Sequence, residues 1–227
     1  MSTKKVVFYL LAVLLGGCLP VVSLHPLFNQ KDVTFEEKLL GTWVQEGSTG
    51  TVTTFPGKEE PKEPTGTIWQ FSRADANEID ANKNAYRLVF SDKEGKKGFF
   101  VAHLLKLKDK LFLDVHLSEL SFKDPNKIDW PHNFLLLIPA HTFIKINSIE
   151  PQLKMLLTDD GSMSALLKAD PNAVRHELLD DSPVLTGSTK ELQAFVLRHS
   201  DDSKVFTEAI VLNRKKTSDP NAPPPSI

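Results

Sequence analysis

A carboxylate and an imidazole stand two residues apart at Asp114 and His116. In an extended strand, positions i and i+2 share one face, which suits an aspartate that orients a histidine for ligand binding or proton transfer. A polar pair turned to solvent is the plainer reading. Of the seven histidines, His103, His116, His132 and His141 fall in the region of strongest strand character. No two of them have the i, i+2 or i, i+4 spacing of a tight ligand set. No G-x-S-x-G elbow is present, and Gly161-Ser162 reads as a helix cap. Asp159-Asp160 and Asp180-Asp181 lack the alternating oxygen ligands of a calcium loop and read as solvated turns. There is no glycine-rich phosphate cradle and no basic patch interleaved with aromatics. The expectation is therefore no catalytic residue, no metal or cofactor site, no nucleic-acid partner and no enzymatic activity.

The remaining reactive group is the chain's one thiol, Cys18. Before it come two lysines within Met1–Lys5, ten unbroken apolar residues from Val6 to Leu15, and two small residues, Gly16 and Gly17. That is the three-part layout of a secretory leader. Ten helical residues would rise only about 15 Å, half of a ~30 Å hydrocarbon core, which argues against a spanning helix. The stretch Leu15-Gly16-Gly17-Cys18 resembles the lipobox of bacterial lipoproteins. The resemblance implies that a diacylglyceryl group alkylates the Cys18 thiol and that a peptidase, fitting the two glycines into its cleft, cuts just before it. Cys18 would then be the mature N-terminus, with acyl chains holding the protein on the membrane; two or more chains give stable anchoring. Leu19 stands where an aspartate would resemble an inner-membrane retention signal, which points to the outer membrane or cell surface.

Composition sets the body of the protein apart from its leader. With 41% hydrophobic and 25% charged residues and a formal net charge of −2, it is that of an ordinary globular domain. Residues 18–33 read as the lipidated end and a tether, and Pro20 and Pro26 disfavour helix there. Regular structure is expected from Thr34. Period-2 alternation predicts strands at Gly41–Glu46, Thr65–Arg73, Tyr86–Ser91, Phe99–Leu107, Leu111–Leu117, Asn133–Pro139, His141–Ile149 and Gln152–Thr158. Eight strands with no helical pattern between them predict a mainly β fold, an antiparallel eight-stranded barrel or wrapped sandwich. Short helices are expected in the C-terminal third, at Ser162–Ala169, at Asn172–Leu179 with Pro171 at its first position, and after the capping box Ser188-Thr189-Lys190-Glu191. Ala209–Leu212 would return as a last strand. One domain over 34–216 and a disordered proline-rich tail over 217–227 complete the layout.

At Leu39–Val44 the chain resembles the opening of lipocalin-type barrels, where Gly-x-Trp begins the first strand; here these are Gly41 and Trp43. The resemblance implies that the glycine lets the chain bend into the barrel, that the tryptophan closes its bottom, and that a late arginine stacks on that ring, for which Arg214 is the candidate. The whole chain is also similar to bacterial lipoproteins of unassigned function that follow the lipobox with a His-Pro-Leu tether, here His25-Pro26-Leu27, and a Gly-Thr-Trp strand. Two roles are expected from this: an envelope protein whose barrel holds an apolar or amphipathic molecule, or a scaffold whose barrel is filled by its own side chains. Phe99, Phe100, Phe112, Phe134 and Phe143 lean towards filling. Replacing the thiol, Cys18→Ser, is expected to remove the added acyl mass and release the protein from the membrane fraction. Intact mass and fractionation check this, and equal membrane retention of both forms would refute the anchor.

Overall fold

The computed structural model describes residues 21–45, 66–74, 84–93, 95–118, 140–158, 160–179 and 182–215. Its strands are β1 (Val22–Ser23), β2 (Val33–Thr34), β3 (Gly41–Val44), β4 (Ile68–Arg73), β5 (Ala85–Ser91), β6 (Lys97–Leu107), β7 (Lys110–Leu117), β8 (His141–Ser148), β9 (Gln152–Thr158), β10 (His176–Leu179), β11 (Ser182–Leu185) and β12 (Phe206–Arg214). Among the described residues two α-helices, α1 (Asp160–Ala169) and α2 (Thr189–His199), lie in the C-terminal third. Strands β3 to β9 pair in sequence order, and β12 pairs antiparallel with both β9 and β3, closing an eight-stranded barrel. The expected count of eight holds with a different membership. The segment 133–139 lies outside the described residues, and β12, nine residues long, is the strand that closes the ring.

Among the described residues regular structure is present from Val22, earlier than the expected Thr34. The strap of residues 21–34 docks on the barrel: β1 pairs with the first two residues of β8 and with β11, and β2 pairs with β6 at Leu104 and Leu105. A second departure is β10, expected to be helical. Asp170 instead stops the chain in a turn, accepting Asn172 N–H on its carboxylate and Ala173 N–H on its carbonyl. Beyond that turn, β10 pairs with β11 as a hairpin. Helix α1 starts at Asp160, so Ser162 lies in its first turn and is not its cap. Helix α2 starts as expected, with Glu191 accepting the Ser188 backbone N–H at 2.7 Å.

Two cores share the wall of the barrel. Inside lie Trp43, Trp69, Phe71, Tyr86, Leu88, Ala102, Leu104, Leu113, Val115, Ile144, Ile146, Leu153, Met155, Ile210 and Leu212. Outside β6, β7 and β8 lies a second core, where Leu105, Phe112 and Phe143 meet Leu192, Phe195 and Val196 of α2 and Leu27 of the strap. The phenylalanine run therefore does not fill the barrel. Phe100 faces in and Phe112 and Phe143 face out, while Phe134 lies outside the described residues. The inner core is built from the two tryptophans, Phe71, Tyr86 and aliphatic residues.

The base of the barrel is sealed where β3 begins and β12 ends. The Arg214 guanidinium lies 4.2 Å from the Trp43 ring centre. It donates to the Leu40 carbonyl at 2.7 Å and to the Lys38 carbonyl, and the Trp43 indole donates to Leu39. This is the closure that the lipocalin-type resemblance implies. Gly41 has φ of +118°, and a Cβ there would sit 2.8 Å from the Arg214 side chain, so both backbone and space exclude larger residues. Beside it, Phe35 stacks on Tyr86 at 4.5 Å, Arg73 lies over Phe35, and the Tyr86 hydroxyl accepts Glu36 N–H at 2.7 Å. Burial pushes that hydroxyl's pKa up to about 12. Arg214→Ala removes a cation–π contact and two hydrogen bonds to carbonyls, and should cost about 2 kcal/mol in urea unfolding. Arg214→Lys should recover less than half, because an ammonium cannot stack flat and fork to two carbonyls.

Candidate functional site

Two regions bring polar chemistry against the apolar cores. The first is the upper end of the barrel, opposite the Arg214 closure. Here β3 and β4 are held by Gln45 and Thr67, whose backbones pair and whose side chains bond at 2.9 Å. The inward residues towards this end are Phe90 on β5, Gly98 and Phe100 on β6, and Leu117 on β7, with Trp69 on β4 directly across from Trp43. Phe90 and Phe100 are half-buried, and Leu117 is 42% exposed. The Phe100 ring lies back over Gly98, where an added Cβ would meet it at 2.6 Å. Trp69, 8% exposed, meets Phe90 edge to face at 5.2 Å. Its indole Nε1 is buried without a hydrogen-bond partner among the described residues, in contrast to its cross-strand neighbour Trp43, which donates to Leu39. An unpartnered buried donor costs about 1–3 kcal/mol.

The second region is the outer wall of β6, β7 and β8. Alternation places His103, Asp114, His116 and His141 on this face, with His103 opposite Asp114 and His116 opposite His141 in register. Asp114 is fully buried, and its two oxygens are divided. Oδ2 accepts the Leu27 N–H of the strap at 2.6 Å, and Oδ1 meets His141 Nδ1 at 2.6 Å. A carboxylate can only accept here, so His141 carries its proton on Nδ1. His116 stands beside this pair, its ring centre 5.0 Å from His141 and 5.8 Å from His103. His103, 2% exposed, stacks under Phe28 of the strap at 4.2 Å, and its Nδ1 has no hydrogen-bond partner among the described residues. Burial holds the His103 pKa down at about 4; the Asp114 charge pulls the other way, and His116 and His141 add to the lowering.

Asp114 thus orients an imidazole, against the plainer expectation of a solvent-facing or satisfied polar pair, and the imidazole is that of His141, across the strand pair, and not His116 on its own strand. Local spacing carries no signal for which cross-strand histidine comes within reach. The imidazoles of His103 and His116 stack at 14° and do not converge, and among the described residues no three His, Cys, Asp or Glu side chains form a group that could hold a metal ion. Lipobox residues Leu15, Gly16 and Gly17, the thiol of Cys18 and His132 lie outside the described residues. Among the described residues no helix is long and apolar enough to cross a membrane. No family model, no curated protein and no solved structure matches the chain.

The strap is gripped from both sides. Asp114 takes a strap N–H, while Thr189 and Gln193 of α2 donate to the strap carbonyls of Pro26 and Leu27 at 2.9 and 2.8 Å. Asp114→Asn keeps the shape but offers one acceptor where two donors converge. It should destabilise the protein by about 2 kcal/mol in urea unfolding. A loss below about 0.5 kcal/mol would mean that the carboxylate does not hold the strap.

Proposed function

We propose that the protein is a lipid-anchored component of a bacterial envelope, held through acyl chains on Cys18, with a binding and not a catalytic role. Its barrel takes an apolar or amphipathic molecule at the upper end. The observation that carries this reading is the indole N–H of Trp69, buried edge to face with Phe90 and without a hydrogen-bond partner among the described residues. A ligand with an apolar body and one acceptor oxygen would cover the half-exposed rings and supply the missing partner. The leader and the Leu15-Gly16-Gly17-Cys18 stretch support the anchor, and Leu19 after the cysteine favours the outer membrane or cell surface.

A second reading has its own support. The lower barrel is packed solid: Trp43, Tyr86, Leu104, Leu113, Leu153 and Leu212 are all fully buried. A barrel so filled also serves as a rigid scaffold for partner proteins, and any ligand site is restricted to the upper end. Native mass spectrometry of the mature protein purified from cells separates the two. A co-purifying lipid-sized mass supports carriage, and Trp69→Phe, which keeps a ring but removes the donor, should weaken the affinity for that molecule about tenfold. Protein free of any bound mass, and silent towards a naphthylamine fluorescent probe, would leave the scaffold reading standing and end the ligand reading.

A further inference from the structure

We propose that His103, with Asp114 and His141 beside it, forms a proton-operated clasp, which holds the N-terminal strap on the barrel wall at neutral pH and lets it go on acidification. The geometry begins with the one carboxylate of this wall: Asp114 lies opposite His103 in register and bonds His141. Both oxygens of that carboxylate are already engaged, by His141 and by the Leu27 amide. His103 has no such partner: its Nδ1 is unpartnered among the described residues, and a proton there would sit in a site that Phe28 of the strap closes to water.

The strap is the movable side of this site. Phe28 is the lid on His103, and the Leu27 amide is the strap's direct bond to Asp114. The other contributors are fixed in central barrel strands. His103 belongs to β6, Asp114 and His116 to β7, and His141 to β8. The carboxylates of Asp32 and Glu191 on the packed elements are committed to other partners. Asp32, at the far end of the strap, bonds Gln193 and Asn29. Glu191 of α2 bonds Arg175 and Ser188. On the strap itself His25 and Lys31 are exposed. Among the described residues of these elements no second carboxylate is drawn in to balance a proton on His103, whose Nδ1 stays unpartnered.

The sign of the pH effect comes from His103. With the strap closed it resists protonation until about pH 4, whereas an exposed imidazole takes its proton near 6.5. The open form therefore binds more protons throughout that window. Closure is at full strength above about pH 6.5 and weakens steadily as pH falls towards about 4. At about pH 5 the balance between closed and open should have moved by on the order of thirtyfold. In the chain the strap lies between Cys18 and the barrel, so its release would lengthen the tether between that residue and the domain. The clasp itself does not depend on acylation, and its test needs none.

Amide hydrogen exchange in the full chain, read by NMR as protection factors so that intrinsic pH dependence cancels, measures the clasp. Between about pH 7.5 and about pH 5 the Leu27 amide should lose on the order of thirtyfold in protection. The amide of Leu88, in the barrel wall between β4 and β6, should keep its own. His103→Phe preserves a ring under Phe28 but takes no proton, and should hold Leu27 protection level over the range. Should that variant fold poorly, His103→Gln carries the same expectation. A Leu27 protection that ignores pH, that falls in step with Leu88, or that falls equally in the two variants overturns the proposal.

Discussion

The closure of the barrel hangs on a narrow seam. Strand β12 pairs with β9 over seven residues but with β3 over only two, Asn213 with Val44 and Arg214 with Trp43, continued by the Lys215 N–H to Thr42. Two ladder pairs between the first and last barrel strands are a weak join for a ring whose interior excludes water. The Arg214 side chain widens it, because one planar group covers the Trp43 ring and ties the carbonyls of Lys38 and Leu40. The glycine requirement at position 41 belongs to the same device: the guanidinium passes where a Cβ would be. Sealing the base this way leaves the opposite end to carry whatever binding the barrel performs.

A closed barrel of eight strands holds its own side chains or one small ligand, and this chain places further apolar surface on the outside of β6, β7 and β8. That surface needs a cover, and the strap and α2 supply it. Covering it creates a water-poor layer outside the barrel, and Asp114 sits in that layer with no exposed surface. A lone buried carboxylate would be costly; the Leu27 amide and His141 offset the cost, and in doing so they fix the strap to the wall at one point. The polar cluster is thus a consequence of the second core and not an independent feature.

How much of this the sequence discloses depends on range. Strand β9 is read to the residue, and the cap of α2 is read from Ser188 and Glu191, because alternation and capping are local signals. Strand β10 defeats the same reasoning. Its four residues carry no strand signal of their own, and they become a strand because β11 lies beside them, tied to β1 of the distant strap. The phenylalanines of β6 to β8 mislead for a related reason. FFVAHLLKL is apolar on both faces, and period 2 cannot say which face is inside when both are buried. The Gly-x-Trp start is legible, as is its late arginine, although the pairing of Arg214 with Trp43 spans nearly the whole domain.

The site shows the same division. Spacing alone places Asp114 and His116 on one face, and that placement is right. The partner of Asp114 is not legible, because β7 and β8 are joined through residues 118–140 and a connection of that length does not set register. A shift of two residues along β8 would keep every face assignment and still carry His141 away from the carboxylate. What fixes the register is the apolar matching of Leu113 with Ile144 and of Leu111 with Ile146 inside the barrel. The inner core therefore decides the electrostatics of the outer wall: the packing that fills the barrel is what brings His141 to 2.6 Å from Asp114.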